Sequence, residues 1–532
     1  MVWTRRRVLG LLGGLALGCQ RPRSSPSISA LEPVDLGLAH RLREAPPPWP
    51  GGAMESPDVL IVGGGVAGLS AAWRLAEAGF AGSVLTLELG DRAGGTSAMG
   101  QGPAGEFPLG AHYITLPSPE ARALRHLLRQ LGMITGFDAD NRPFYRDTDL
   151  CLDPEERLFH GGEWSDELWP AAGEGPEDRE DRAAWQAHVL DWTQRRGADG
   201  KPAFAIPVAA SSWDPEIRAL AARSFEDYLA DWGLRSPRLR WQLRYAVRDD
   251  YGGELAHTSA WAGLHYHCAR RPDPAQAPNT HVLTWPGGNG ALVRELRARS
   301  PWPLRTGAMV RRVEPGSPVR VAAEIDGAMV ELRPRALLLC VPPQVRQALL
   351  GGEAMPHPDR APWRVVQLHC DKLPRSRGLD RAWDSVIYEA GGLGYVSSAH
   401  QRLSRGGPTT LSWYEPLSEL SPAEGRKILL AEEPAASASR ALDELAHAHA
   451  DLAERVQSIE VVRWGHGTAL PAPGWHERPE RLGALAAPLE GVFFASTDLS
   501  GLSLFEEAHY HGVRAAEEAL ASMGHPVGES LL

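Results

Sequence analysis

The sequence predicts an α/β protein: a discontinuous Rossmann-like nucleotide-binding domain drawn from the start, middle and end of the folded chain, with an α+β domain inserted between its parts. Three observations carry this. Residues 58–79, DVLIVGGGVAGLSAAWRLAEAG, read as strand, glycine turn and helix. SVLTLEL at 83–89 follows as a second apolar run, which makes a β-α-β unit with parallel strands. GVFFAS at 491–496 opens another strand–loop–helix unit near the far end. A nucleotide site between such units lies at the carboxyl ends of their strands.

The elements follow in order. Residues 20–57 are rich in Pro, Ser, Gly and Arg (QRPRSSPS, APPPWPGG) and read as a flexible linker. The folded body is expected to start near Asp58, with a strand over 58–62 and a helix over 67–78 that Gly79 stops. Residues 119–131 form an amphipathic helix with Leu124, Leu127, Leu128 and Leu131 on one face. Residues 160–206 are Gly/Pro-rich, charged and dotted with Trp, and read as irregular. SFEDYLADWG opens on Ser224 as N-cap and ends on Gly233. RALLLCVP at 335–342 is a buried strand stopped by prolines. The last helix covers 505–523 and closes at Gly524.

The chain has 532 residues, 43% hydrophobic and 23% charged, which is ample for more than one lobe. A net charge of −11 argues against a polyanion-binding surface, so nucleic acid is not an expected partner. The 18 tryptophans suit cores and pockets alike. Cys151, Cys268, Cys340 and Cys370 form no CxxC pair, and Cys340 in ALLLCV reads as a small buried hydrophobe.

Gly63, Gly65 and Gly68 have the spacing GxGxxG. The first permits the tight turn, the second lets a diphosphate reach the backbone, and the third lets helix and strand approach. Val66 and Ala67 open the helix, whose free N–H groups and positive dipole end suit an anion. Glu88 ends the second strand. A carboxylate there suits the two hydroxyls of an adenosine ribose and repels a 2′-phosphate.

After Glu88 come LGDRAGGTSAMG, with Arg92, Gly94, Gly95 and Thr96, and PLGAHYI, with Gly110, Ala111, His112 and Tyr113. These segments resemble those of the flavin-dependent amine oxidase and phytoene-desaturase-like superfamily. The resemblance implies FAD as cofactor, with the glycine pair along the ribityl-phosphate arm and Gly110 to Tyr113 beside the flavin ring. Thr96 departs from it, standing where a basic residue is frequent. PGGNGALVRELR at 286–297 resembles the helix that re-enters the cofactor domain. TGAMVRRVE at 306–314 resembles the strand in which Val310 pairs its backbone with adenine. GVFFASTDLSGLSLFEEAHYHGVRAAEEAL at 491–520 resembles the closing flavin motif, with Asp498 on a ribityl or phosphate-side hydroxyl and the helix start at Leu504 and Phe505 aimed at the flavin. Glu506 and Glu507 read as first-turn charges that complement the helix dipole. The implied layout is a discontinuous Rossmann-like FAD-binding domain at 58–116, 283–345 and 457–524. An inserted α+β substrate domain then occupies 117–282 and 346–456, and 525–532 is a tail.

The substrate side is less definite, and no catalytic residue is assigned. No second GxGxxG follows a strand; EAGGLGYV at 389–396 lacks that setting. This favours oxidation of a small-molecule substrate, with electrons passed to oxygen or a quinone. The lysine that many amine oxidases carry on a substrate-domain strand is sought near Gln367, and Lys372 matches it poorly. One position of an aromatic cage falls near the aliphatic Leu504. Asp249 and Asp250 suit a substrate amine or acid–base work, although such a pair more often caps a helix or faces solvent. His265 and His267 alternate as on a strand, without a third ligand, so no metal is expected. Trp464 and His466 suit the wall of a pocket and equally a packed core, and His509 and His511 lie on different faces of the last helix. A desaturase or dehydrogenase of a non-amine substrate, and a non-catalytic flavin-binding protein, are the alternatives.

TRRRVLG at 4–10 and the apolar run 8–18 resemble a twin-arginine export signal over 1–19. Cys19 after this run resembles a lipoprotein cleavage box, with Leu17 as a departure. The expectation is an exported, periplasmic or membrane-anchored protein, with attachment through a lipid on Cys19.

Overall fold

Five short strands form a parallel sheet in the nucleotide-binding half. They are β1 (Val59–Val62), β2 (Val84–Leu87), β3 (Leu304–Arg305), β4 (Ala336–Leu339) and β5 (Val492–Phe494), in the spatial order β3-β2-β1-β4-β5. The computed structural model describes residues 25–532 apart from 35, 53, 272–274, 276–281, 353–354 and 403–405. The export signal and Cys19 lie outside the described residues.

β1 reads VLIV and is buried along its length, as a strand covered on both faces must be. Its side chains divide by parity. Val59 and Ile61 join the core under helices α1 (Val66–Glu77) and α2 (Phe505–Ser522). Leu60 and Val62 join the core on the other face, with the antiparallel strands Met309–Glu314, Arg320–Ile325 and Ala328–Leu332. α2 lies close on α1 because position 512 is glycine: a Cβ there would stand 2.2 Å from the Ala67 carbonyl oxygen. The mixed α/β class and the assembly of this sheet from distant parts of the chain are as predicted.

The second half rests on an eight-stranded mixed sheet. Its order is Ser27–Leu31, Val456–Ala469, Arg360–Cys370, Thr409–Pro416, Tyr395–Ser397, Asp384–Ile387, Glu156–His160, Glu163–Asp166. Ala438, Ala441 and Leu445 of helix Pro434–Ala446 pack on Val366, Leu368 and Val461 of this sheet. Helices Pro176–Gln194, Phe225–Trp232, Pro237–Tyr251 and Ala260–Cys268 close around a core that includes Trp169, Trp185, Trp192 and Trp261.

Four expectations are corrected. Residues 160–206 are not all irregular: Pro176–Gln194 is a helix. Pro176 suits a first helical position, Gly175 and Asp178 form the cap, and Trp185 and Trp192 bury one face. The expected linker 20–57 is structured in its described part. Ser27–Leu31 pairs in parallel with residues 458–462, and Met54–Glu55 pairs with 331–332. The third cofactor-domain segment does not begin at 457, because Val456–Ala469 is a central strand of the other sheet. The tail 525–532 is docked: Arg74 on α1 donates to the carbonyls of Val527 and Glu529, and the Leu531 N–H donates to Glu517 on α2.

Candidate cofactor and active site

The carboxyl ends of β1, β4 and β5 open into one cavity of roughly 680 Å³. Its floor is the glycine turn. Gly63 has φ of +104°, and a Cβ there would meet the Cys340 carbonyl oxygen at 2.4 Å. Only glycine turns the chain this close to β4. Gly65 is the reverse case: nothing lies within 4 Å of where its Cβ would be, so its backbone is bare to the cavity. At Gly68 a Cβ would stand 1.9 Å from the Gly63 carbonyl oxygen, so this glycine sets the helix–strand approach and does not line the cavity. α1 starts at Gly65 with no side-chain cap and no acidic residue in its first turn. Its N–H groups are therefore available to an anion.

Glu88 sits at one end of the cavity. Its Oε2 accepts from the Gly64 N–H at 2.7 Å and its Oε1 from the Gly90 N–H at 2.7 Å. Burial pushes its carboxyl above the ordinary range, against the backbone N–H groups that pull it down. The Gly94 N–H donates to the Gly64 carbonyl at 2.9 Å, which ties the glycine pair to the first turn.

Gly63, Gly65, Val66, Ala67, Glu88, Gly94, Gly95, Thr96, Ala111, Val310, Asp498, Leu504 and Phe505 all line this cavity. The other predicted residues do not. Arg92 turns to its neighbour Asp91, with Nε to Oδ1 at 2.9 Å. Gly110 packs on the Thr96 carbonyl, where a Cβ would come within 2.6 Å. His112 and Tyr113 leave the wall after Ala111 and enter an aromatic cluster. Asp498 is almost wholly buried and already engaged: Arg360 donates one nitrogen to both of its oxygens, at 2.6 and 2.7 Å, and Ser496 donates at 2.7 Å.

The sequence reading missed several lining residues. Arg360, Arg426 and Arg463 come from the substrate half, and Pro33, Val34, Leu36, His40, Leu42 and Arg43 from the presumed linker. Trp464 and His466 do wall the cavity, and Trp464 donates to the Leu109 carbonyl at 2.7 Å. Glu506 and Glu507 are not exposed dipole charges. Glu506 accepts from the Thr115 N–H and hydroxyl, while Glu507 accepts from the Val208 N–H and the Ser500 hydroxyl. Burial pushes the Glu507 carboxyl up to about 7.

Beyond Ala111 lies a buried aromatic and acidic cluster. The His112 ring stands 5.5 Å from Trp383 and 5.2 Å from Tyr414. The Tyr414 hydroxyl donates to Asp384 at 3.2 Å, while Asp384 Oδ1 is buried without a hydrogen-bond partner among the described residues. Glu156 is the register partner of Asp384 on the adjacent strand. Burial, with Glu155 and Asp250 respectively as like-charged neighbours, pushes the Glu156 and Asp249 carboxyls up to about 8. Asp250 is paired with Arg270. Gln367 is fully buried and spent on structure, donating to the Pro108 carbonyl at 2.8 Å and accepting from Ser412 at 2.6 Å. Lys372 lies beyond the strand Arg360–Cys370, on the surface. His265 and His267 lie on helix Ala260–Cys268, not a strand, so a two-residue spacing separates their faces.

Comparison with known proteins agrees with this geometry. A family model described as an NAD(P)-binding Rossmann-like domain matches residues 61–131. Wild-type putrescine oxidase bound to putrescine has a similar fold, with a TM-score of 0.61, 16% identity, and coverage of 88% of this chain and 100% of that one. Cyclohexylamine oxidase from Brevibacterium oxydans is also similar, with a TM-score of 0.62, 18% identity and the same coverages, 88% and 100%. A search of curated protein sequences gave no match. At these identities the likeness is one of fold.

Proposed function

We propose that this chain is an FAD-dependent oxidoreductase that oxidises a small organic substrate by hydride transfer from a substrate carbon. The observation that carries the reading is the bare backbone at Gly65, facing the open cavity at the uncapped start of α1. A Cβ there would fill the space that a diphosphate needs. Glu88, whose two oxygens keep lone pairs beyond the backbone N–H groups they accept, suits the ribose hydroxyls of an adenosine. Val310 offers backbone to the adenine, and Leu504 and Phe505 bring the N-terminus of α2 to the flavin end. The similar folds of two amine oxidases support the same reading.

When bound, the flavin supplies a two-electron acceptor that passes its electrons to oxygen or a quinone. The chain's own residues bind, orient and exclude water. His112, Tyr113, Trp383 and Tyr414 form apolar and aromatic walls next to the cofactor cavity. The acidic cluster favours an amine. Burial pushes the Glu156 and Asp249 carboxyls up to about 8 and raises that of Asp384. An ammonium group that reaches it stabilises the ionised carboxylate, whose proton passes to solvent. On the TRRRVLG segment and Cys19, we further infer export by the twin-arginine route and a lipid anchor.

The test is an absorption spectrum of the purified protein, followed by anaerobic reduction with a panel of amines, amino acids and alcohols. A folded, colourless protein that takes up no FAD overturns the proposal. Flavin that no donor reduces favours a binding protein, and reduction by alcohols alone favours the non-amine dehydrogenase.

A further inference from the structure

The segment before β1 is held at both ends. Ser27–Leu31 is an edge strand of the substrate-side sheet, in parallel register with 458–462. Glu32 pairs with Arg463 directly after it. Further on, Arg41 pairs with Glu324 and Glu44 with Arg311, both on the meander beside the parallel sheet. Leu42 packs into the core of that side. The guanidinium of Arg320 lies over the Trp49 ring at 4.0 Å. Between these anchors, Pro33, Val34, Leu36, His40, Leu42 and Arg43 line the cofactor cavity.

Charge shows what this segment is for. A dinucleotide carries its negative charge on the diphosphate. Yet no basic residue follows Gly94 and Gly95, and Arg92 is turned to Asp91. The arginines that line the cavity are Arg43, Arg360, Arg426 and Arg463. Arg360 is taken by Asp498 and Arg463 by Glu32. Arg43 and Arg426 have no carboxylate partner within ion-pair distance among the described residues. Arg426 gives one nitrogen to the Arg360 carbonyl at 2.9 Å, and the Arg43 side chain is exposed. Burial holds the His466 imidazole down at about 4, and Arg426, Arg360, Arg43 and His40 around it act in the same direction.

We propose that Pro33, Val34 and residues 36–43 are part of the dinucleotide site: they form the outer wall of the cavity, and Arg43 acts with Arg426 as the cationic contact for the ligand's diphosphate. This rests on the FAD reading above and extends it to a part of the chain that looked like a tether.

The test compares full-length wild type with Arg43→Ala, Arg426→Ala, the double variant, and a chain lacking 27–45. FAD and riboflavin, which has no phosphate, are titrated into flavin-free protein at low and high salt. Loss of two charge-assisted contacts is expected to weaken FAD binding by about tenfold or more and to reduce its salt dependence, with riboflavin unchanged. The deletion is expected to release FAD faster; if it does not fold, the point variants carry the test. FAD affinity within about twofold of wild type in the double variant, or an effect from Arg426→Ala with none from Arg43→Ala, overturns the proposal while the FAD reading stands. A folded wild type that binds no FAD overturns both.

Discussion

Arg360, at the start of the strand Arg360–Cys370, bridges both carboxylate oxygens of Asp498, which follows β5, at 2.6 and 2.7 Å. The pair joins the two halves of the molecule at the cavity wall, and its side chains are 10% and 1% exposed. Removing one partner leaves the other charge buried and unpaired. Arg360→Ala is expected to cost about 3 kcal/mol of stability. Urea denaturation of wild type and variant measures it; a loss below about 1 kcal/mol, the range of an exposed pair, refutes the prediction.

Gly65 and Gly68 predict opposite phenotypes. A valine at 65 meets open space in the protein but fills the anion cradle. Gly65→Val should keep its thermal midpoint and lose its flavin. A valine at 68 drives its Cβ into the Gly63 carbonyl oxygen, 1.9 Å away. Gly68→Val should lose stability first. Flavin absorbance and thermal melts, read together, separate the two, and flavin retained in Gly65→Val counts against the site.

Glu507 links stability to pH. Burial raises its carboxyl to about 7, so the folded chain binds a proton that the unfolded chain has released above the ordinary glutamate range. Its contribution is present at low pH and is lost as pH rises through about 7. Buried His511, beside the Ser500 hydroxyl that Glu507 also binds, is held well below its ordinary value and acts in the opposite direction. The informative quantity is therefore a difference. The thermal midpoint of Glu507→Gln minus that of wild type should rise from pH 5 to pH 7.5; a flat difference denies the linkage.

The acidic cluster predicts a split between cofactor and substrate. Glu156→Gln and Asp249→Asn lie outside the cofactor cavity, so flavin content should not change. KM for amine donors should rise by about tenfold, the order expected when a charged pair with a cation is lost. Steady-state kinetics on the panel checks this, and unchanged KM values for both variants would remove the acidic cluster from substrate binding.

What the sequence made legible was local. The glycine turn, β2 and Glu88 lie within about thirty consecutive residues, so their spacing encodes their geometry. Asp498 and the start of α2 were legible because a strand, loop and helix follow one another without interruption. The Arg360–Asp498 bond joins residues 138 apart, and no periodicity announces it. The buried cluster draws Glu156, Asp249, Asp384 and Tyr414 from separate strands and a helix, each with an unremarkable local setting. The N-terminal segment misled through composition: its prolines and glycines suggest a tether, whereas its ion pairs, the short pairing of Met54–Glu55 and the pairing of Ser27–Leu31 with 458–462 fix it to both halves.

That strand pairing also fixes an order of events. Ser27–Leu31 is made before its partner at 458–462, with more than half of the described chain between them. No nascent chain that stops short of residue 458 can form this edge. Until then the segment has no partner strand, and a non-local contact of this kind is slow to close. The cavity's outer wall is fastened to the substrate-side sheet only after that point.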